Sequence, residues 1–430
     1  MCTLVKYELV KIFKNKLCFG VIILVFIGSL ALCGYQLSQY KEGIRGEYAL
    51  SDMNGRKMPE VTVSRDNIQE LEQRLEAFES RDDIYTTMDE IRASLQYVNG
   101  VARLPMTSTY HGKYEIDMTE LQHRLERGEI TEKEFESIMY DSSDKPIIKP
   151  EYYSEFFEVY APVNSYREQV EAVEHLKYMA SRSEGTKDYF VYLKKAEAIE
   201  NALNEGYVYG YDYGWESAFD AFSSGTLSLL LIAVVLLGTC TVFSSEYSQG
   251  TDAIIIHTKR GRRMTVSAKI IASSIYAVIC AVAFTAIVFG VNFAFLGIEG
   301  TDVGVEISNI DRFFTVFPFI ILGSILLSFI SLAVSVVFKK STVASFISLL
   351  LGFLPIVLNF YVLVEEPLET MLKLTPALML CGSYISYPEF IVINQSVSDI
   401  TIFFLPVAVT IGAIALPVMY GVFCKHRIKN

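Results

Sequence analysis

Five cationic side chains, Lys259, Arg260, Arg262, Arg263 and Lys269, crowd into one short loop between two apolar runs. The stretch Phe243–Lys269 also holds Glu246, a Gly250-Thr251 pair suited to a tight turn, and Ile254, Ile255 and Ile256 in tandem. Basic residues beside a membrane span set its orientation, and Arg262 and Arg263 are placed to meet lipid phosphates. Topology alone gives no reason to put three isoleucines in an aqueous loop. A short apolar helix rimmed by charge, DAIIIHTK, suits docking into a groove on a partner protein. Other chemistry is sparse. His111, His123 and His175 are too widely spaced to suggest a metal site. No H-E-x-x-H motif offers zinc ligands, and no G-x-x-x-x-G-K-[ST] loop can cradle nucleotide phosphates. The chain is therefore expected to be no enzyme, with no catalytic residues, metal or cofactor of its own. If it drives transport, the energy must come from another polypeptide.

The elements around that loop are hydrophobic. Of 430 residues, 51% are hydrophobic and 20% charged, so the two kinds must be segregated along the chain. Six runs hold no Asp, Glu, Lys, Arg or His: Leu17–Tyr35, Thr226–Phe243, Ile270–Gly297, Phe313–Phe338, Thr342–Val364 and Ile402–Cys424. Each reaches the ~18 residues that can cross a bilayer core, and none carries the ~3 kcal/mol cost of a central charge. The first run, after a group of lysines, also has the look of a signal peptide. Its length and the large Leu32 before Cys33 favour a retained span. Without intramembrane carboxylates or histidines, ion pumping and proton coupling are disfavoured.

Charge asymmetry orients the spans. Residues 36–225 hold 21 basic and 37 acidic side chains, whereas the rest of the chain is slightly positive. Fourteen basic residues, from Lys6, Lys11, Lys14 and Lys16 through the five-cation loop to Lys339, Lys340, Lys425, Arg427 and Lys429, fall on one side. The other short loops hold only Arg312 and Lys373. This positive-inside bias predicts cytoplasmic termini and an extracytoplasmic segment 36–225 in a multi-pass protein of a bacterial plasma membrane. The expected fold is an all-α polytopic membrane protein of six transmembrane helices, with a helix-rich extracytoplasmic domain between spans 1 and 2. The divisions are a lysine-rich cytoplasmic segment over 1–16, span 1 over 17–35, the outer domain over 36–225, and a five-helix region over 226–430. The last includes a basic inner loop at 244–269 and an outer connection at 365–400; the resemblance given below implies an amphipathic elbow helix, a coupling loop and an outer hairpin for the first and these two.

Within the outer segment, Ile68, Leu71, Leu75 and Phe78 recur at helical spacing, as do Met88, Ile91, Leu95 and Val98. TELQHRLERGEITEKEFESIM reads as two short helices broken at Gly128. Ser165 and Glu168 read as a cap for a helix burying Tyr166, Val170, Val173 and Leu176. The Pro- and Tyr-rich DKPIIKPEYYSEFFEVYAPV before it reads as extended or irregular. The segment contains no cysteine, so its own core must hold it. The aromatic run Tyr207–Phe222 suggests an interfacial belt or a substrate contact. In the spans, Ser324, Ser328, Ser331 and Ser335 form one small face suited to close packing or to a pathway. Asn292 and Asn359 are the most polar groups at depth.

The pattern F-S-x-E-x-x-x-G-T (Phe243, Ser244, Glu246, Gly250, Thr251), then K-R-G-R-R and Lys269 opening the next span, resembles the permease subunits of ABC-2-type (type V) exporters. The lysine-rich YELVKIFKNK is similar to their elbow helix, and the large insert to one bacterial branch that includes sodium-extrusion and peptide-antibiotic resistance exporters. The resemblance implies a permease that moves a peptide, lipid, drug or ion outward. Its partners would be a separate ABC ATPase subunit carrying ATP and Mg2+, membrane lipids, and a second permease copy or sister permease, with no nucleic acid. It makes Glu246, Gly250, Thr251, Ile254, Ile255, Arg262, Arg263 and Lys269 candidates for ATPase coupling. It places Tyr7, Glu8, Lys11 and Lys14 in the elbow and Pro367–Phe390 in an outer helical hairpin. Ser324, Ser328, Asn292 and Asn359 are candidate pathway residues. The alternative is a membrane sensor or immunity assembly protein that binds a ligand through its outer domain without transporting it.

Overall fold

The computed structural model describes residues 1–46, 59–86, 147–148, 152–223, 225–250, 261–362, 368–382, 390–393 and 396–425. Among these residues, six helices are long and apolar enough to cross a membrane: Cys18–Tyr35, Thr226–Gln249, Arg262–Leu296, Asn309–Val337, Ser341–Phe360 and Thr401–Cys424. They overlap the six uncharged runs, and spans 2, 3 and 4 run on at one end into Glu246, into Arg262, Arg263 and Lys269, and into Asp311 and Arg312. An elbow helix, Cys2–Lys14, precedes span 1 and ends where Asn15 turns extended. Spans 2, 3 and 4 form the centre, being 67%, 44% and 56% buried, against 22%, 22% and 17% for spans 1, 5 and 6. The outer three expose apolar side chains such as Leu24, Phe346 and Leu405. Close approach at the centre depends on small residues. A Cβ on Gly238 would lie 2.3 Å from the Tyr276 ring, and Ser324, Ser328, Ser331 and Ser335 are all fully buried.

The segment between spans 1 and 2 has a core of its own. Strand β1, Val61–Val63, pairs antiparallel with β4, Tyr207–Tyr209. Helices Ile68–Glu79, Tyr153–Arg182 and Lys187–Glu205 pack around them. Ile68, Leu71, Leu75 and Phe78 are buried together, as their spacing predicts. The second helix starts earlier than expected. The Tyr153–Val163 stretch read as extended or irregular is helical through Pro162, which removes one backbone donor while Phe156, Val159 and Val163 bury apolar area. Ser165 thus lies inside the helix, not at its cap, and its hydroxyl meets that of Tyr207 at 2.9 Å. The expected helices over 86–98 and 119–139 fall almost entirely outside the described residues. Besides helix, β2 (Tyr85–Thr86) pairs with β3 (Ile147–Ile148) and β5 (Phe390–Ile393) with β6 (Ser396–Asp399).

Contacts sort the connections into two ends. The insert, the span 3–4 connection and the span 5–6 connection meet at one end. There Val208 bridges Gly304, and the β5–β6 hairpin packs on helix Lys187–Glu205. The elbow helix, the facing ends of spans 2 and 3 and the end of span 6 meet at the other. The region expected as a helical hairpin carries two short helices, Leu368–Lys373 and Pro376–Met379, and Phe390 already belongs to a β-hairpin. Phe390, Ile391, Val392 and Ile393, aromatic or β-branched throughout, suit a strand of a ribbon better than a third helix.

Candidate functional site

At the elbow end, four charged side chains from three separate segments converge. Lys269 of span 3 donates to Glu246 at 2.7 Å, to Glu8 of the elbow helix at 3.1 Å and to the Val242 carbonyl at 2.9 Å. Lys11, one helical turn after Glu8, donates to the same Glu246 oxygen at 2.9 Å. Lys269, Glu8 and Glu246 are nearly sealed from solvent, and the Lys269 ammonium lies 5.3 Å from the Phe243 ring centroid. A buried ion keeps its charge only when partners replace the lost water. Here Lys269 has two carboxylates, a carbonyl and an aromatic face. Burial alone would pull the Lys11 ammonium down, but Glu246 and Glu8 outweigh it and hold its pKa above the usual lysine value.

Local backbone explains how Glu246 arrives there. Span 2 loses its regular helix after Thr239, turns through Cys240–Phe243, and resumes as the short helix Ser244–Gln249. Ser335 of span 4 holds this joint, its hydroxyl oxygen accepting from the Phe243 and Ser244 amides at 3.1 and 3.0 Å. Gly250 ends the short helix at φ +70°, in the left-handed region that glycine enters without a Cβ penalty. Lys269 does not open span 3. The helix begins at Gly261, two turns earlier, and Lys269 points inward.

The other candidate coupling residues scatter. Arg262 donates to the Cys424 carbonyl at 3.0 Å, tying span 3 to the end of span 6, with Ser267 and Tyr420 joined by their hydroxyls at 2.7 Å. Arg263, Tyr7 and Lys14 are exposed. Thr251, Ile254 and Ile255 fall outside the described residues. A partner docking at this end would meet Arg263, Tyr7 and Lys14 directly, and Glu246 and Lys269 only through movement of the cluster.

The candidate pathway residues do not share one surface. Asn292 is buried, accepting from the Ser217 hydroxyl at 2.7 Å and donating to the Val288 carbonyl at 2.8 Å, so it fastens helix Tyr213–Ser223 to span 3. Ser328 bonds back to the Ile325 carbonyl. Ser324 is fully buried, and its hydroxyl has no partner among the described residues. Asn359 is half-buried. The aromatic run is not a lipid-facing belt. Trp215, Phe219 and Phe222 are buried against Phe289, Phe293 and Phe313 of spans 3 and 4, and the Arg312 guanidinium sits 4.1 Å from the Phe219 ring centroid. Trp215 also donates to the Ile298 carbonyl at 3.0 Å. Burial pushes the Asp212 carboxyl up, opposed by a hydrogen bond from Asn309 and by the charge of Arg312.

Sequence reasoning named Glu8, Lys11, Glu246 and Lys269 but did not join them, and it missed Ser335 as the amide acceptor at the joint. The only signal available was that lone carboxylates flank spans on a lysine-rich side. Comparison with protein-family models, curated proteins and solved structures found no match to this chain.

Proposed function

We propose that the chain is the membrane-spanning permease of an ATP-driven exporter of the ABC-2 type, powered by a separate ATPase at the elbow end. The observation that supports this most is the buried set Glu8–Lys269–Glu246–Lys11. It makes the elbow helix, the joint after span 2 and the start of span 3 one mechanical unit, at the end where basic residues favour the cytoplasm. A push on the loop beyond Gly250 would then reach span 2 through Ser335 and Glu246, span 3 through Lys269, and the elbow through Glu8. The insert, fastened at the opposite end to the span 3–4 and 5–6 connections, would follow the same movement on the outer face. Two six-span halves rearranging in this way would release substrate outward.

The test is co-purification. The full chain, solubilised from its native membrane, should bring down a nucleotide-hydrolysing protein whose ATPase rate responds to it. Arg263→Glu, on the exposed first turn of span 3, should lower that stimulation at least tenfold while the chain still inserts and purifies normally. Failure of any such protein to co-purify, or unchanged stimulation in this variant, overturns the reading.

A further inference from the structure

Spans 4 and 6 run in the same direction and pack closely toward the insert end, where Phe319 and Phe404 meet with ring centroids 5.0 Å apart. Toward the elbow end a groove of about 340 Å³ opens between them. Ile330, Ala333 and Val337 of span 4 and Ile411, Ala415 and Val418 of span 6 line it, at helical spacing on each wall. Ile330 and Ala415 lie equally far along their helices from the Phe319–Phe404 contact, so the order of residues along the groove agrees on both walls. The small side chains of Ala333 and Ala415 leave the space open. Every lining residue is apolar down to Phe338, where span 4 ends. From Ile330 to Phe338 the helical rise is roughly 12 Å.

The chain continues from Phe338 as Lys339 and Lys340, both exposed, and neither has a carboxylate partner among the described residues. Span 5 then starts at Ser341 with no acidic residue in its first turn, so the positive end of its dipole reinforces the two lysines. Apolar depth and cationic mouth therefore follow one another along the chain itself. A soluble anion would use the lysines and leave the groove unfilled. A peptide would bury backbone groups against walls that offer them no partner. A trough of this volume and length has a cross-section on the order of 30 Å², too narrow for a helix ~10–12 Å across. One hydrocarbon chain fits it. A zwitterionic headgroup would bring its own cation against the two lysines, whereas a headgroup of net negative charge would not. We infer that the groove binds an anionic phospholipid of the elbow-end leaflet, with one acyl chain between spans 4 and 6 and the phosphate at Lys339 and Lys340. The inference rests on the six apolar helices alone and stands apart from the transport reading.

The experiment is photocrosslinking of the full purified chain with a trace of phosphatidylglycerol that carries a diazirine in one acyl chain, the labelled residues being mapped by mass spectrometry. A lysine beside anionic headgroups contributes about fivefold, so the pair sets the expected scale. Unlabelled phosphatidylglycerol should suppress labelling at 330–338 and 411–418 about twentyfold more effectively than phosphatidylcholine does. Leu405, exposed in the insert-end half of span 6, should respond alike to both lipids. Replacing both lysines, as Lys339→Gln with Lys340→Gln, should remove the preference and leave Leu405 unchanged. Ala333→Phe, which fills the groove without altering charge, should lower labelling of the groove by about fivefold or more. A monodisperse elution profile checks folding, and the exposed lysine changes decide if Ala333→Phe aggregates. Equal suppression by the two lipids at the groove, or a preference retained without the lysines, overturns the inference. So does loss of the preference in millimolar inorganic phosphate, which would assign the lysines to a soluble anion. Labelling of Leu405 with none in the groove overturns it too, because another protein surface would then cover both walls.

Discussion

The two ends of the helical bundle are fastened by opposite means. At the elbow end, four side chains carry formal charge, and the joint rests on Lys269, Glu246, Glu8 and Lys11 together with the Ser335 hydroxyl. At the insert end, the joint is mainly aromatic and redundant, its charged groups including Asp212, bonded by Asn309, and Arg312, over the Phe219 ring. Trp215, Phe219, Phe289, Phe293 and Phe313 pack ring to ring, with Asn292 and Ser217 bonded as neutral groups. A cluster of few strong partners exists in one arrangement or fails; a packed aromatic layer loses stability in small steps. The difference teaches where a switch can sit. The elbow end has the chemistry of a two-state contact, and the insert end that of a rigid mount.

The largest effect that could break this contrast is Lys269→Met. Removing the central cation leaves Glu8 and Glu246 buried with Lys11 alone, and losing one partner of a buried ion pair costs about 3–5 kcal/mol. Thermal unfolding of the purified chain should show the loss. Replacing all three as Glu8→Gln, Glu246→Gln and Lys269→Met should recover much of it, because no sealed charge is left unpaired and the half-exposed Lys11 can turn to water. A single variant as stable as the parent, or a triple variant no better than the single, would mean that the cluster does not hold the joint.

Ser335→Ala comes next. Its hydroxyl oxygen is the acceptor for two amides at the break in span 2, and stranding buried donors costs about 1–3 kcal/mol. Hydrogen exchange at Phe243 and Ser244 should quicken while exchange in spans 4 and 6 stays unchanged. At the insert end, Trp215→Phe keeps most of the ring contacts and loses one hydrogen bond, to Ile298, for about 1 kcal/mol. Were Trp215→Phe to cost more than Ser335→Ala, the insert end would be the brittle one.

How much of this was written in the chain varies with the range of the interaction. The six spans follow from local composition, since one charge in Leu17–Tyr35 or Ile402–Cys424 would have raised the cost of spanning. The apolar stripe Ile68, Leu71, Leu75 and Phe78 was legible for the same reason. The Tyr153–Val163 helix was hidden because Pro146, Pro150 and Pro162 punctuate the sequence around it, and only the burial of Phe156 and Val159 overrides them. The aromatic run misled because a Tyr- and Phe-rich stretch with one Trp before a span has the same composition whether it faces headgroups or Phe289. Candidate site residues were nameable as types. Their convergence was not, because Glu8 and Lys269 are 261 positions apart, and no periodicity reports that contact.

The smallest effect under native conditions separates the two ends by pH. Burial pushes the Tyr207 phenol up to about 12, partly offset by its bond with Ser165 and reinforced by Glu168. A raised value means that the protonated form is favoured in the folded chain, so its contribution is complete below the ordinary tyrosine value near 10. It is lost as pH rises toward 12. Lys11 is also raised, so its contribution is complete below 10.5 and falls above it. Between pH 10 and 12 both ends therefore weaken, and neutral-pH measurements see neither. Tyr207→Phe deletes one insert-end term and leaves the Tyr209 phenol, which burial also pushes up to about 12. Its unfolding midpoint should match the parent's slope up to pH 10 and then fall less steeply, with the residual loss belonging to Lys11 and the remaining alkaline groups. A parallel decline of parent and Tyr207→Phe across that window would show that the phenol is not sealed in the folded chain, and that the redundant packing assigned to the insert end does not extend into the β1–β4 ribbon.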